Sequence, residues 1–335
     1  MPSHTYRVAA SCFEPDSAHA PEQRRAALRS HLEQLLHAQR PDLAVLPELV
    51  VAHGIGSEAR WGAELLDGPT VTMVAELAAG AKANICVPIM EDDRGELYNT
   101  AVYVDRAGRV AGAYRKQVPT GSEARSGIRP SAPDQEPVLL DGLRIGTAIC
   151  FDENFSDQAW GWIDAGVDLL VFPAYTYAGE LMRNWAVNCG VPLVCSFPWE
   201  SVIYDRDGSV LARAGTETST FRLGNHPPWI ACSLNLHSRV YHLDGNQACL
   251  KKLAARFGSA VDLRLMVRDG RMMITTVAAD LELEKLEREM GLVPLQDYLR
   301  ASRAMAEGRL TDCLRFPTVQ DYLLANRPSI QQATR

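Results

Sequence analysis

A layered α/β fold with a mixed sheet or a pair of sheets is what this sequence predicts, and three observations predict it. Short apolar strands alternate with amphipathic helices through the first half of the chain, hairpin signatures are inserted between them, and no Gly/Ser/Pro-rich linker divides the 335 residues. Pure parallel winding would not accommodate the hairpins. Repeats of 20 to 50 residues, which would indicate a solenoid, are not evident.

The elements follow in order. Tyr6 to Ser11 is a short apolar strand. Pro21 to Ala38 carries Leu28, Leu32, Leu35 and Leu36 on one helical face. Leu43 to Leu46 is a second strand, stopped by Pro47. Gly68-Pro69 opens a helix that runs to Ala83, because proline suits the first helical position. Ile85 to Ile89 is strand-like. Asn99 to Asp105 and Arg109 to Tyr114 flank Arg106-Ala107-Gly108 as a hairpin. The run Leu143 to Ile149 predicts a buried strand, with a helix from about Asn154 to Ala165 behind it. Val167 to Phe172, the helix Gly179 to Asn188 and the strand Val191 to Ser196 continue the alternation. Ser201 to Tyr204 and Val210 to Ala214 form a second hairpin around Asp205-Arg206-Asp207-Gly208, and Pro228 to Leu234 is a further strand. The expected organisation is one domain over residues 5–290, with an insertion-like stretch at about 235–271. A charged helical extension over 291–335 would hold Leu295 to Glu307 and Val319 to Asn326.

Composition narrows the function. Hydrophobic residues make up 47% and charged residues 22%, which is ordinary for a globular protein. A net charge of -7 argues against nucleic acid as the main partner. The eight cysteines form no C-x-x-C pair, so neither a disulfide framework nor a zinc site is expected. Met1 to Arg7 has no apolar signal-peptide core, and no stretch approaches the roughly 18 apolar residues of a membrane span. The expectation is a soluble, cytoplasmic protein with reduced thiols, no cofactor and a small-molecule substrate.

One of those thiols is singled out by its place. Cys150 ends the Leu143 strand just before a helix, at the rim of a sheet where substrate can reach it. The helix N-terminus there would favour a thiolate. The alternative is a small hydrophobe closing a strand. Other polar residues lie near element ends: Glu48 after Leu43 to Leu46, Lys116 after the first hairpin, and Glu123 in a Pro/Gly/Ser loop seven residues further on. Each alone reads as a solvated charge. Converging on Cys150, they would supply a nucleophile, a base, a cation for an oxyanion and an orienting carboxylate.

These motifs resemble those of the nitrilase superfamily, the carbon–nitrogen hydrolases. Leu46-Pro47-Glu48 is similar to its glutamate motif, Tyr114-Arg115-Lys116-x-x-Pro119 to its lysine motif, and Gly146-x-x-x-Cys150-x-Asp152-x-x-Phe155 to its cysteine motif. Tyr98-Asn99-Thr100-Ala101 and Val167 to Pro173 resemble two further strands of that family. The resemblance covers about residues 5–235, with a weaker match near Ala278 to Leu299. It implies a four-layer α-β-β-α sandwich of two mixed sheets flanked by helices, and a Glu48, Lys116, Cys150 triad. It also implies Glu123 as an auxiliary carboxylate, the Phe151 N–H as an oxyanion donor and Tyr175 lining the pocket. Hydrolysis of a non-peptide amide or N-carbamoyl bond through a Cys150 thioester would follow, in a homodimer or larger homo-oligomer.

The sequence also departs from the family. Phe151-Asp152 after the cysteine looks more like amidases and carbamoyl-amide hydrolases than nitrilases, which usually carry Trp-Glu. Where those amidases continue Phe-Pro-Glu-x-x-Arg, this chain has Ser156, Asp157 and Trp160 at the proline, glutamate and arginine positions. A nitrilase acting on C≡N is therefore one alternative, and a catalytically silent binding or scaffold protein is another. His237, His242 and Asp244 invite a metal reading, but no third ligand motif accompanies them. Gly54 to Ala59 mimics a dinucleotide loop without the strand context and reads as a loop over the pocket mouth, with His53 at its start. The absence of a G-x-S-x-G elbow removes the common serine hydrolases.

Overall fold

The computed structural model describes residues 5–52, 62–177, 179–214, 228–278 and 280–326. His53 and the Gly54 to Ala59 loop lie outside the described residues.

Sheet one contains β1 (Thr5–Ser11), β2 (Leu43–Val45), β3 (Ala63–Glu64), β4 (Asn84–Asp93), β5 (Glu96–Val104), β6 (Val110–Arg115) and, from later in the chain, β13 (Trp229–Asn235). Its order is β13-β1-β2-β4-β5-β6, with β3 beside β4. β1, β2 and β4 are parallel, while β13, β5 and β6 are added antiparallel. Sheet two has the order β12-β11-β10-β9-β8-β7. Its strands are β7 (Val138–Leu140), β8 (Leu143–Thr147), β9 (Leu169–Pro173), β10 (Leu193–Ser196), β11 (Val202–Tyr204) and β12 (Val210–Arg213). The parallel trio β8, β9 and β10 lies at its centre.

Side-chain alternation along the strands builds the layers. In sheet one Ala9, Ala44, Ile85, Val87 and Val102 pack outward against α1 (Pro21–Gln39) and α2 (Pro69–Ala81). Their neighbours Val8, Ala10, Val45, Ala101 and Tyr103 face inward into one core with Ile145, Leu169, Val171 and Cys195 of sheet two. That core continues through sheet two to α4 (Ser156–Ala165) and α5 (Gly179–Cys189), which contribute Ala159, Trp162, Trp185 and Ala186. The result is helix, sheet, sheet, helix. Leu28, Leu32 and Leu35 are fully buried on α1, as their spacing predicts.

Three local readings needed revision. Strand β4 continues past Ile89 to Asp93 and turns tightly into β5 through Arg94-Gly95, both at positive φ. Glu123 is not in a loop but in α3 (Gly121–Arg125), whose Thr120 Oγ1 accepts the Glu123 N–H while Glu123 Oε2 accepts the Thr120 N–H. The helix behind Cys150 starts at Ser156, because residues 150–154 form a separate 3-10 turn.

Beyond residue 235 the chain builds a third, antiparallel sheet in the order β14-β16-β15, from β14 (Ser238–His242), β15 (Val261–Met266) and β16 (Arg271–Thr276). Helices α6 (Leu243–Asn246), α7 (Leu250–Phe257), α8 (Leu283–Met290), α9 (Leu295–Ala306) and α10 (Val319–Ala325) surround it. Tyr241, Leu253, Met272, Ile274 and Leu286 form a core of their own there. His242 is occupied structurally: its ring stacks on Tyr298 at 4.8 Å, and the Tyr298 hydroxyl donates to Asp244 Oδ2 at 2.6 Å. Helix α9 then docks on α4. Gln296 Nε2 donates to the Val167 and Cys189 carbonyls, each at 3.0 Å, and Arg303 lies 4.9 Å over the Trp160 ring. Trp160 is thus a floor for α9, which accounts for an aromatic residue there. Among the described residues, no helix is long and apolar enough to cross a membrane.

Candidate active site

Glu48, Lys116, Glu123 and Cys150 come together at the C-terminal edges of the two facing sheets. β2 delivers Glu48, followed by Leu49 at φ 48°. β6 delivers Lys116, whose N–H is anchored to the Asn99 carbonyl at 2.8 Å. Lys116 is 1% exposed and Glu48 4%, so neither is a solvated charge. Lys116 Nζ donates to Glu48 Oε1 at 2.8 Å and to Glu123 Oε1 and Oε2 at 3.0 and 2.8 Å. Burial works against the ammonium, but Glu48 and Glu123 outweigh it and hold Lys116 protonated well above the ordinary lysine range. Glu123 is the mirror case. Burial would raise it, and the Lys116 charge with hydrogen bonds from Thr120 and Asn99 brings it below the ordinary glutamate value.

That depression fixes a pH dependence. A carboxylate with a lowered folded pKa contributes stability above its unfolded pKa, about 4.3 for glutamate, and loses it as pH falls through the folded value. Wild type should therefore lose urea resistance on acidification through that window more steeply than Glu123→Gln. Parallel acid limbs in the two urea-midpoint profiles would contradict this.

Asn99 was not singled out from the sequence as a site residue. It is fully buried, and its Nδ2 donates to Glu48 Oε1 at 2.8 Å and to Glu123 Oε1 at 2.9 Å. An asparagine inside a strand is disfavoured, and that was the available signal.

Cys150 sits in the left-handed region, at φ 47°. Holding a non-glycine residue there costs on the order of 1–3 kcal/mol and requires support from its surroundings. Asp152, completely buried, provides it. Its Oδ2 accepts the Ile149 N–H at 3.0 Å and the Tyr114 hydroxyl at 2.9 Å, while Oδ1 accepts the Val118 N–H at 2.9 Å. Asp152→Ala would orphan these buried donors at about 1–3 kcal/mol each. Its unfolding free energy in urea should fall by about 3 kcal/mol or more; a loss below 1 kcal/mol would contradict the clamp.

The thiol is not a resting thiolate, contrary to the helix-dipole expectation. The segment after it is a five-residue 3-10 turn, so a long aligned dipole is lacking. Burial, then the Glu48 charge, pushes the thiol up to about 12 against the pull of Lys116. Sγ lies 3.9 Å from Thr176 Oγ1. The Phe151 N–H is in the first turn of the 3-10 segment, where N–H groups have no intrahelical partner. Tyr175 contributes in two ways. Its N–H donates to Glu48 Oε2 at 3.0 Å, and its ring meets Trp199 edge-on at 5.2 Å, with the hydroxyl donating to Glu14 Oε1 at 3.2 Å. A groove behind α4, lined by Gln117, Gln135, Trp162, Asp164 and Arg300, contains none of these groups.

Comparison with known proteins agrees with this architecture. Residues 14–224 match the model of the family Carbon-nitrogen hydrolase. A hydrolase encoded in the pqqF 5' region of Pseudomonas protegens is 29% identical over 201 residues, which is 54% of this chain and 70% of that protein. Omega-amidase NIT2 of Homo sapiens is 28% identical over 182 residues, 46% of this chain and 66% of that protein. Among solved structures, Saccharomyces cerevisiae Nit3, a member of branch 10 of the nitrilase superfamily, aligns with a TM-score of 0.58 at 19% identity, over 70% of this chain and 91% of its own. An amidase from Nesterenkonia sp. aligns with a TM-score of 0.59 at 20% identity, over 70% of this chain and 92% of its own. With the matched segment spanning β2, β6 and the Cys150 turn, the chain belongs to the carbon–nitrogen hydrolase family.

Proposed function

We propose that this protein hydrolyses the C–N bond of a small linear amide or N-carbamoyl compound through a thioester on Cys150. The observation that carries this reading is the buried Lys116 ammonium clasped by Glu48 and Glu123, with a neutral thiol beside them. A thiol held neutral needs a base at the moment of attack. Glu48 takes the Cys150 proton as Sγ bonds to the carbonyl carbon. The oxyanion forms against Lys116 Nζ and the Phe151 N–H. Collapse of the tetrahedral intermediate breaks the C–N bond, and Glu48 returns its proton to the departing ammonia or amine. Glu48 next deprotonates water, which attacks the thioester, and the acid leaves with the thiol restored. Glu123 and Asn99 position Lys116 and Glu48, and Tyr175 lines the pocket beside Trp199.

An amide relative supports the same choice: the human protein matched above is named as an omega-amidase. The test is a panel of short amides, N-carbamoyl amines and matched nitriles, with intact-mass detection of the acyl-enzyme. Faster turnover of amides or carbamoyl compounds, with the acyl mass on Cys150, is expected. Preferential nitrile turnover would overturn the reading, and failure of the whole panel would favour a silent scaffold. A homodimer or larger homo-oligomer and a cytoplasmic location belong to the same proposal. A purely monomeric mass in sedimentation would count against the first.

A further inference from the structure

Arg206 belongs to the Asp205-Arg206-Asp207-Gly208 turn between β11 and β12, a place where an arginine ordinarily reaches into water. Here it is folded inward and is only 5% exposed. Its partner among the described residues is the adjacent Asp205, whose Oδ1 alone accepts both the Arg206 N–H at 2.8 Å and Nη1 at 3.2 Å. A guanidinium carries five N–H donors, so the Nε and Nη2 edge is left without a protein acceptor there. Burial outweighs the pull of Asp205, and Arg239 adds repulsion, so the group is held below the ordinary arginine range. A buried charge matched on one edge only is costly unless something completes it.

Arg206 lines a cavity of about 250 Å³ in the seam between the sandwich and the C-terminal helices. Arg206 and Asp168 border it from the sandwich, and Arg239, Asp297 and Arg300 from the other side. Loose packing does not explain the void. Beside it Gly190, at φ 67°, lets α9 approach so closely that a Cβ would meet Leu295 Cδ2 at 2.9 Å. The charges on the far side are matched: Arg239 donates to Glu284 and Glu287 at 2.9 and 2.7 Å, and Arg300 to Asp297. Asp168 is not. Its Oδ2 accepts the Arg144 N–H at 2.9 Å, its Oδ1 accepts nothing among the described residues, and the residue is exposed. Arg206 and Asp168 thus face one cavity, the first with unused donors and the second with an unused acceptor. They are not joined to each other, since the ion pair of Arg206 is with Asp205.

We propose that this cavity binds a phosphate group that carries one proton, held between Arg206 and Asp168. Two phosphate oxygens accept Arg206 Nε and Nη2 side by side, and the P–OH donates to Asp168 Oδ1. The cavity is smaller than the pockets that enclose drug-sized organic ligands, and it suits a single tetrahedral ion. Sulfate has the same shape but no proton at neutral pH, so it would set its charge against Asp168 with no hydrogen bond to compensate. The site is therefore selective for phosphate, and its occupant braces β14 and α9 against the sandwich. None of these residues takes part in the Cys150 chemistry, so the amide-hydrolase reading is not at stake.

The experiment titrates the full chain calorimetrically with sodium phosphate and with sodium sulfate, at neutral pH and matched ionic strength. Saturable phosphate binding, tighter than that of sulfate by about 10-fold or more, is expected. Phosphate should also raise the melting midpoint in a saturating way and beyond equimolar sulfate, whereas general exclusion from the surface acts for both ions. Arg206→Gln should remove the saturable binding. Asp168→Asn, at an exposed position, carries the test if Arg206→Gln does not fold. Its amide no longer repels sulfate, so the preference for phosphate should collapse. Glycerol 3-phosphate bound as tightly as phosphate would support the same contacts with a monoester as the source, and weaker binding would support the free ion. No saturable phosphate binding by wild type, or sulfate bound equally well, would overturn the assignment. So would an Asp168→Asn variant that keeps the wild-type preference.

Discussion

Cys150→Ala should lower amide turnover by a factor on the order of 10⁴ or more, at nearly unchanged stability. On the proposed mechanism the rate falls this far because the remaining groups would hold and polarise an amide but offer no atom able to form the covalent intermediate. Stability is spared for a structural reason. Sγ lies 3.9 Å from Thr176 Oγ1, a long contact whose loss costs little. The turn is held by Asp152, not by the cysteine. Intact mass after exposure to substrate should show an acyl adduct on wild type and none on the variant. A folded Cys150→Ala protein that still turns over the amide would remove the covalent mechanism altogether.

Lys116→Ala should be less damaging to rate and far more damaging to stability. Loss of one oxyanion donor costs about 10²- to 10³-fold. The same substitution leaves Glu48 and Glu123 facing each other across Asn99 with no cation between them. Breaking a buried pair by removing one partner costs about 3–5 kcal/mol. The pH response should also change. In wild type the raised Lys116 pKa means that its contribution is complete below the ordinary lysine value and lost only as pH rises through the folded one. In the variant two like charges share a site, which raises the pKa of one of them. Mild acidification, kept above the ordinary glutamate value of about 4.3, should then raise the urea midpoint of Lys116→Ala, while wild type keeps the full contribution of this cluster. A variant whose midpoint does not rise over that window relative to wild type would show that the two carboxylates are not coupled through Lys116.

Much of this was legible in the sequence because strand and helix periods are local. The β8-to-α4 and β9-to-α5 alternation shows in runs such as Leu169 to Phe172 and in the buried face of α1. Glu123's helix was also legible, since Thr120-x-x-Glu123 is a capping-box spacing, but the surrounding Pro, Gly and Ser residues argued for a loop. The β4–β5 hairpin was hidden by Glu91, Asp92 and Asp93, charges that ended the apolar run while the ladder continued to Asp93↔Glu96. The roles of Asn99 and Asp152 were out of reach because their partners are distant: Asn99 joins residues 51 and 24 positions away, and Asp152 reaches back 38 to Tyr114. The third sheet was obscured for the same reason, because Ser238 pairs with Thr275 across a long excursion. No periodicity records the left-handed turn at Cys150. It exists only because Asp152 finds its donors.

The Asp152 clamp carries one more consequence. Its donors Tyr114 and Val118 flank Lys116 at the edge of sheet one, whereas Asp152 itself follows Cys150 at the edge of sheet two. The distance between cation and sulfur is therefore gauged across the seam where the sheets meet, and neither sheet sets it alone. The Tyr103 hydroxyl and Thr147 Oγ1, 2.6 Å apart, tie the same seam one layer deeper. Any sliding of one sheet over the other would misalign Lys116 and Cys150 before a single strand came undone. Under the proposed mechanism, substitutions in the dry interior between the sheets would detune the chemistry without touching Cys150 or Lys116.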